Sequence, residues 1–312
     1  MTHVFGPVPS RRLGLSLGID LIPAKICTYD CLYCQAGRTT QKTVITKPLV
    51  DIREVIDELK RRLEKLTPDV ITFSGSGEPT LHSEIDQVID FVKTITDTKI
   101  ALLTNGSLLW REDVRNRISG ADIIMPTLST VFEETFKAIH RPHEALDLTR
   151  IIEGLKCFRQ IYQGKIFLEV ILLAGVNDSN KEVEGLKCVI DEISPDRIQL
   201  NTVVRPPADS KAISLDRRGL EDIKDYFGEK AEIITSIPFK QKEGQYDSLI
   251  DTVLEMARRR PIRSLDIAHA LNMGLEEMEG LIKGLIIKGS LHQQEHSGEV
   301  FYVKAQGARP RI

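Results

Sequence analysis

The sequence predicts an α/β fold built on a parallel sheet and followed by a smaller helical domain. Three observations support this prediction: short apolar runs alternate with amphipathic segments, six such units follow one another, and the pattern changes after residue 245. Alternating strands and helices are typical of parallel sheets with right-handed crossovers. With 312 residues, of which 41% are hydrophobic and 28% charged, the chain can form one large and one small domain.

The six predicted strands are short, often β-branched and bounded by turn signals, as buried parallel strands are. They lie at residues 15–22, 69–75, 99–106, 122–129, 167–175 and 197–204. The segments between them carry the predicted helices. In segments 51–66 and 148–162, for example, apolar residues recur three and four positions apart, which is the period of an amphipathic helix.

The last part of the chain predicts a different architecture. After residue 246 come three helical patterns and then two strand-like pieces separated by the turn "HSGE". This order is that of a winged helix, a variant of the helix-turn-helix. The polar stretch "PFKQKEGQ" at 238–245 is the predicted linker. We therefore predict domains at 1–240 and 246–312.

Composition narrows the class of protein. A formal net charge of −3 argues against a protein that coats nucleic acid or an anionic membrane. The N-terminus has no apolar signal region, and no apolar run approaches the length of a bilayer span. Five cysteines, three of them clustered, favour metal binding in a reducing compartment over disulfides. We expect a soluble, cytoplasmic protein without a membrane partner.

The stretch "KICTYDCLYCQAG" holds Cys27, Cys31 and Cys34 directly after the first predicted strand. This is the end of a parallel strand at which barrel folds carry their chemistry. A structural zinc site needs four ligands, and no fourth Cys or His is near in sequence. A "CLYC" redox pair would not require Cys27. Three thiolates that hold an iron–sulfur cluster would leave one iron open for an exogenous ligand.

This CxxxCxxC spacing, with the aromatic Tyr33 before the last cysteine, resembles the radical S-adenosylmethionine (radical SAM) superfamily. The second predicted strand ends in "SGSGEPT", which resembles the family's Gly-Gly-Glu motif with Ser76, Gly77 and Glu78 at its three positions. Small residues let the backbone approach a ligand, and a carboxylate can bind an ammonium group. The resemblance covers residues 13–206 and implies a partial (β/α)6 TIM-type barrel.

The resemblance also implies cofactors and roles for single residues. Cys27, Cys31 and Cys34 would bind a [4Fe-4S] cluster. The residues expected to contact S-adenosylmethionine are Tyr33 at its adenine, Ser76, Gly77 and Glu78 at its methionine end, and Asn105 and Ser129 after the next strands. Reductive cleavage of this cofactor would give methionine and a 5′-deoxyadenosyl radical that abstracts a substrate hydrogen. A low-potential flavodoxin or ferredoxin would supply the electron.

The opening "VFGPVPSRRLGLSLGIDLIP" is similar to iron–sulfur oxidoreductases related to the wyosine-forming tRNA enzymes. Those synthases are expected to carry further cysteines upstream, whereas no cysteine precedes Cys27 here, so the resemblance does not bring that reaction with it. Modification of a tRNA base is one predicted function. Modification of a peptide or protein is the alternative, since small helical domains often deliver a partner chain.

A third hypothesis is an iron–sulfur redox sensor that acts through the winged helix. Residues 247–312 carry nine basic and nine acidic side chains. The predicted recognition helix begins with Glu276, Glu277 and Glu279, which would face DNA phosphates. We therefore do not expect sequence-specific DNA binding.

Candidates for substrate binding follow the later strands. Arg205, before two prolines at the end of the sixth strand, is expected near the barrel mouth. Asn201, within that strand, is either catalytic or a satisfied core group. Arg141, in the loop after the fourth strand and its short helix, either reaches an anionic substrate or belongs to a solvated turn. Two arginines and two cysteines are expected to have structural roles only. Arg11 and Arg12 precede the first predicted strand and are expected at the opposite end, either in surface salt bridges or as an anchor for the N-terminal segment. Cys157 and Cys188 are expected to be buried as small hydrophobic side chains.

Overall fold

An eight-stranded sheet is the centre of the computed structural model, which describes residues 2–23, 25–234 and 249–305. The strands are β1 (Val4–Ser10), β2 (Gly14–Ile19), β3 (Ile26–Cys27), β4 (Gln41–Lys42), β5 (Val70–Phe73), β6 (Lys99–Thr104), β7 (Ile123–Pro126), β8 (Lys165–Ile171), β9 (Arg197–Asn201), β10 (Ala231–Ile233), β11 (Leu291–His296) and β12 (Glu299–Lys304). The helices are α1 (Ile52–Leu63), α2 (Ile85–Ile95), α3 (Glu112–Ile118), α4 (Glu133–His140), α5 (Leu148–Ile161), α6 (Asn180–Ile193), α7 (Arg217–Phe227), α8 (Leu249–Arg259), α9 (Ser264–Leu271) and α10 (Leu275–Ile287).

The strand order of the main sheet is β1-β2-β5-β6-β7-β8-β9-β10, and every neighbouring pair from β2 to β10 is parallel. The predicted partial TIM-type barrel is confirmed. In the part of the chain that the structure describes, β1 and β10 are the two edges, so the barrel is not closed. Two strands of this sheet were not predicted: β10, which has three residues, and β1, which pairs antiparallel with β2.

Helices α1, α5, α6 and α7 begin at polar residues that cap them. In each case a side-chain oxygen accepts a hydrogen bond from a backbone N–H of the first turn, which satisfies a donor that lacks a helical partner. The capping residues are Asp51, Asp147, Ser179 and Asp216. These helices pack their apolar faces onto the sheet, where side chains such as Val55, Phe73 and Leu200 are fully buried.

The C-terminal elements share a core with the edge of the sheet. Phe5 and Val8 of β1 belong to the same buried cluster as Val253 of α8 and Ile267 of α9. The ring of Phe5 lies over Gly18, where an added Cβ would come within 2.2 Å of it. Burial of a phenylalanine contributes about 1.5–3 kcal/mol relative to exposure. Part of the stability of the C-terminal elements therefore comes from β1.

The order of the C-terminal elements is the one that the sequence predicts: three helices and then the hairpin β11–β12. A bridge between Ile262 and Tyr302 adds a third extended segment to the hairpin. The assignment to a winged helix and the domain boundaries stay predictions, and the predicted linker at 238–245 lies outside the described residues. The described residues include no helix with the length and apolar character that a bilayer span requires.

Candidate active site

The three clustered cysteines lie on the loop that follows β2. Cys27 ends β3, and Cys31 and Cys34 lie in the next turn, where Cys34 N–H donates to the carbonyl oxygen of Cys31 at 3.3 Å. The turn is fastened to the end of α4, because Asp30 N–H donates to the carbonyl oxygen of His140 at 2.9 Å. The loop therefore lies where the sequence predicts it, after the first parallel strand.

The cysteine thiols are partly buried and close enough for their charges to interact. Burial raises the pKa of Cys27 to about 11. Burial, together with the charges of Cys27 and Cys34, raises the pKa of Cys31 well above its ordinary value. Such thiols keep their protons in water, but a bound metal displaces them because the thiolate is the ligand. Binding of a metal by these thiols therefore releases protons.

Each thiol has a polar side chain beside it. The pairs are Lys25 Nζ with Cys34 Sγ at 2.9 Å, Asn105 Nδ2 with Cys27 Sγ at 3.6 Å, and His140 Nδ1 with Cys31 Sγ at 3.4 Å. Although burial alone would lower the pKa of Lys25, the nearby cysteine charges raise it. Hydrogen bonds to the sulfurs of an iron–sulfur centre tune its reduction potential.

His140 is a site residue that the sequence did not reveal. It ends α4, is 3% exposed, and places Nδ1 3.4 Å from the hydroxyl of Tyr33 as well as from Cys31 Sγ. Burial lowers the pKa of His140 to about 3, so its imidazole is neutral near pH 7. No local pattern could have indicated this contact, because 109 positions separate the histidine from Cys31.

The donor set fits a cluster better than a single ion. A structural zinc ion takes four ligands. Across residues 2–23, 25–234 and 249–305, no group of three or more His, Cys, Asp or Glu side chains is placed to hold one metal ion. A [4Fe-4S] cluster held by three thiolates binds each of them to a different iron, so the three sulfurs lie further apart than the ligands of one ion. Three neighbouring thiols therefore suit the cluster.

The "SGSGEPT" segment forms the loop after β5 and abuts the cysteine loop. Ser76 is held by Asp20, whose carboxylate accepts from its N–H at 3.1 Å and from its hydroxyl at 2.6 Å. A Cβ on Gly77 would lie 1.8 Å from the carbonyl oxygen of Ile26. The same oxygen accepts from Glu78 N–H at 3.2 Å. The two loops are thus joined through their backbones, and glycine is required at the junction.

Glu78 is 2% exposed and its carboxylate binds residues of the sheet. Oε1 accepts from the N–H and hydroxyl of Thr80 and from the hydroxyl of Thr104, at 3.1, 2.6 and 2.6 Å, and Oε2 accepts from Asn105 N–H at 2.7 Å. Burial raises the pKa of Glu78, and the hydrogen bonds from Thr104 and Thr80 oppose this. Glu78 therefore ties the end of β5 to the end of β6, while its contact with the cofactor stays a prediction.

A buried ion pair links this loop to the C-terminal elements. Arg259 of α8 donates to Asp20 at 3.2 Å, and the two side chains are 3% and 4% exposed. The same guanidinium donates to the carbonyl oxygen of Thr2 at 2.7 Å and lies 4.3 Å from the ring centre of Phe5. Because Asp20 also holds Ser76, α8 supports the second loop through a single carboxylate.

A cavity of about 320 Å³ lies inside the open barrel and reaches both loops. Its wall includes Tyr33 and Cys34 of the cysteine loop and Gly75 and Gly77 of the second loop. Inward side chains of the strands, such as Met125, complete it. A molecule in this cavity would lie beside both predicted motifs.

The expectation for Arg11 and Arg12 was wrong. Both line the cavity, together with Tyr33 and Cys34, instead of forming surface salt bridges. Arg12 pairs with Glu169 inside the barrel, and its side chain is 11% exposed. The reason is β1, which the sequence did not predict: the β1–β2 turn lies at the open edge, from which long side chains enter the barrel.

Two of the three predicted substrate residues line the cavity. Asn201 accepts a hydrogen bond from Arg11 at 3.4 Å and donates to Glu169 at 3.1 Å. Arg205 lies 3.4 Å from Gln35 Oε1, one residue beyond Cys34. The third, Arg141, is not in the cavity wall, because its guanidinium binds Asp209 at 2.6 Å outside the barrel.

Three other residues singled out in the sequence lie in surroundings that the sequence did not predict. Ser129 is fully buried, and its hydroxyl accepts from Ile171 N–H at 3.1 Å, so it binds the β8 backbone, while its contact with a cofactor stays a prediction. Cys157 and Cys188 were expected to be buried, and both are exposed. They lie on the outer faces of α5 and α6, whose inward positions are taken by larger apolar residues.

Comparison with known proteins gives concordant results. A family model described as the Radical SAM superfamily matches residues 21–184. A UPF0026 protein of Methanocaldococcus jannaschii is 34% identical over 311 residues, which cover 97% of this chain and 96% of that protein. A protein of Brachyspira hyodysenteriae named GTPase Obg is 35% identical over 304 residues, which are 96% of this chain but 45% of that protein. This chain thus spans less than half the length of that relative.

A solved structure of TYW1 with a lysine-pyruvate adduct bound has a similar fold. The TM-score is 0.53 at 16% sequence identity, and the match covers 73% of this chain and 76% of that one. At this identity the likeness is one of fold.

Proposed function

This chain belongs to the radical SAM superfamily, as its motifs predicted, and from this premise we propose that it abstracts a hydrogen atom from a substrate bound in the barrel cavity. The observation that carries the proposal is the junction of the two loops. The cysteine loop and the "SGSGEPT" loop share a backbone contact at Ile26 and open on the same cavity. A cofactor held by one loop would therefore touch the group held by the other.

Radical SAM enzymes use a [4Fe-4S] cluster and S-adenosylmethionine, and when bound these supply the electron transfer that yields the 5′-deoxyadenosyl radical. In the proposal, Cys27, Cys31 and Cys34 hold the cluster. Ser76 and Gly77 bring the backbone close to the methionine end, with Glu78 fixing their position. Tyr33, in the cavity wall, covers the adenine, and Asn105 positions Cys27.

The chain's own residues also protect the chemistry. The cavity lies within the curve of the sheet, so its walls cover part of a bound molecule and reduce its contact with water. Lys25 and His140 donate to or pack on the thiolates, which sets the cluster's electronic environment. A flavodoxin or ferredoxin is the expected electron donor, and the cytoplasm is the expected compartment.

The size and position of the cavity limit the kind of substrate that it can hold. Its small volume, within the barrel, favours a compact molecule or one extruded base over a folded protein surface. A tRNA base, which the likeness to wyosine-forming enzymes suggests, stays a candidate that binding to purified tRNA would test. Modification of a peptide stays the alternative.

A redox sensor that binds DNA is less well supported. Glu276 and Glu277 lie in the first turn of α10 and are exposed, so this end of the helix presents negative charge. Such a surface repels the phosphate backbone. Tight sequence-specific binding to duplex DNA at moderate salt would favour the sensor instead.

The proposed function is tested by anaerobic reconstitution, reduction with dithionite and addition of S-adenosylmethionine. We expect 5′-deoxyadenosine and methionine in equal amounts from the wild type, and none from Cys31→Ala. Cys157→Ala is the matched control, because this cysteine is exposed on α5, and it should behave as the wild type. Equal product from Cys31→Ala would refute the ligand assignment, and no product from a fully loaded wild type would refute the function.

A further inference from the structure

Arginine side chains dominate the charged part of the cavity wall. Among the described residues that line it are five arginines and one carboxylate, Glu169. Arg12 binds Glu169, and Arg259 binds two carboxylates that lie outside the wall. The other three, which we name the arginine triad, are Arg11, Arg205 and Arg260.

The triad is assembled from three distant parts of the chain. Arg11 comes from the β1–β2 turn, Arg205 from the loop after β9, and Arg260 from the residue after α8. Neither the barrel nor the C-terminal elements could form this group alone. Convergence of three cations costs electrostatic energy, so the fold brings them together against their mutual repulsion.

One carboxylate, Asp266 of α9, interacts electrostatically with all three arginines of the triad. Its charge acts on Arg11, Arg205 and Arg260 alike. Asp266 lies 3.5 Å from Arg205 but is bound more closely by Arg263, at 2.8 and 3.1 Å. A carboxylate already shared with a fourth arginine cannot neutralise three more. Positive charge is therefore left over at the cavity wall.

One nitrogen of the Arg205 guanidinium has no hydrogen-bond acceptor among the described residues. The side chain is 8% exposed, and its Nε is buried without a hydrogen-bond acceptor among the described residues. A buried donor without an acceptor is costly and rare in native proteins. Since Arg205 lines the cavity beside Gln35 and the cysteine loop, a ligand in the cavity could supply the acceptor.

The protonation equilibria of the triad agree with this geometry. Burial lowers the pKa of Arg11 to about 10, and Arg263 adds to the effect. Burial lowers the pKa of Arg260 to about 10, and the charge of Arg11 adds to it. Both stay charged at pH 7, and an anion between them would relieve the repulsion.

We propose that Arg11, Arg205 and Arg260 bind the phosphate group of a small phosphorylated substrate. A phosphate ester carries close to two negative charges and several acceptor oxygens, which match three guanidinium groups better than a single carboxylate does. The site is the inner wall of a cavity of about 320 Å³, and Arg205 is buried, so a free small molecule fits better than the backbone of a folded RNA. This assignment rests on the proposed function, in which the same cavity holds the substrate.

Calorimetric titration of the reconstituted full chain with inorganic phosphate tests the site without turnover. S-Adenosylhomocysteine is kept at saturation so that the cofactor's carboxylate position is filled, and chloride at equal ionic strength is the reference. We expect phosphate to bind the wild type, and the dissociation constant to rise about tenfold or more in Arg260→Gln and Arg205→Gln. Arg217→Gln is the control, since Arg217 is 85% exposed on α7, and its dissociation constant should be unchanged.

Several outcomes would overturn the proposal. They are absence of phosphate binding, wild-type affinity in Arg260→Gln, and binding of succinate as tight as that of phosphate. Displacement of phosphate by tRNA with the same arginine dependence would assign the triad to RNA instead. If Arg205→Gln does not fold, Arg11→Gln and Arg260→Gln test the same site. Cleavage of S-adenosylmethionine, measured on the same preparation, separates failure of this site from failure of the proposed function.

Discussion

The ion pair of Asp20 with Arg259 should be one of the most sensitive points of the structure to substitution. Both side chains are nearly inaccessible, so removal of either leaves a buried charge without its partner, which costs about 3–5 kcal/mol. In Asp20→Asn the guanidinium keeps its contact with Glu255 at 2.7 Å, so we expect the lower value, about 3 kcal/mol. In Arg259→Met the carboxylate keeps only hydrogen bonds, so we expect the upper value, about 5 kcal/mol.

The double variant Asp20→Asn/Arg259→Met should be less destabilised than the sum of the single variants. No charge is left unpaired in it, so we expect a coupling of at least about 2 kcal/mol. Unfolding in urea, followed by the fluorescence of Trp110, the one tryptophan of the chain, measures all four free energies. The exposed pair Arg217–Glu221 is the control and should couple by about 0.5 kcal/mol or less.

Additive effects of Asp20→Asn and Arg259→Met, within about 0.5 kcal/mol, would refute the reasoning. A second readout concerns the loop that Asp20 holds. Because Ser76 loses a charged acceptor in Asp20→Asn, the affinity for S-adenosylmethionine should fall about tenfold. Unchanged affinity would mean that Ser76 is positioned by other contacts.

Three other substitutions test separate parts of the account. Gly77→Ala should abolish cofactor binding measured by calorimetry, because the added Cβ would lie 1.8 Å from the Ile26 carbonyl oxygen. The control Gly280→Ala, where the added Cβ has no neighbour within 4 Å, should bind the cofactor normally. Normal binding by Gly77→Ala would contradict the close approach of the two loops. Phe5→Ala should destabilise the protein by about 3–5 kcal/mol in urea unfolding, and a loss below about 1 kcal/mol would show that β1 does not anchor the C-terminal elements. Burial lowers the pKa of His82 below 6.5, so its imidazole is protonated at a higher pH in the unfolded chain than in the folded protein. The free energy of unfolding should therefore fall as the pH drops below 6.5. His82→Gln should show a shallower decline of unfolding free energy between pH 7 and 5.5, and equal slopes would reject this role.

Local sequence patterns predicted much of the fold and the linear part of the site. The six parallel strands and the positions of the cysteine and "SGSGEPT" loops follow from short-range periodicity and turn signals, and the structure has them. β1 was missed because it is an antiparallel edge strand with two prolines, which weaken its strand pattern. That omission also misplaced Arg11 and Arg12, whose positions depend on the β1–β2 turn.

Contacts between segments that are distant in the chain could not be predicted from local sequence patterns. His140 meets Cys31 through the docking of α4, and Asp20 meets Arg259 across 239 positions. Nothing near either residue marks its partner. Cys157 and Cys188 show the converse error, since residue type suggested burial while the helix face decided exposure.

Three thiolates would leave one iron of the bound cluster open to S-adenosylmethionine. Electron paramagnetic resonance of the reduced, reconstituted protein, recorded before and after addition of the cofactor, tests it most directly. We predict that the spectrum of the cluster changes on addition of S-adenosylmethionine, because the cofactor becomes a ligand of the open iron. An unchanged spectrum from a fully loaded cluster, or zinc in place of iron in the metal analysis, would contradict the account.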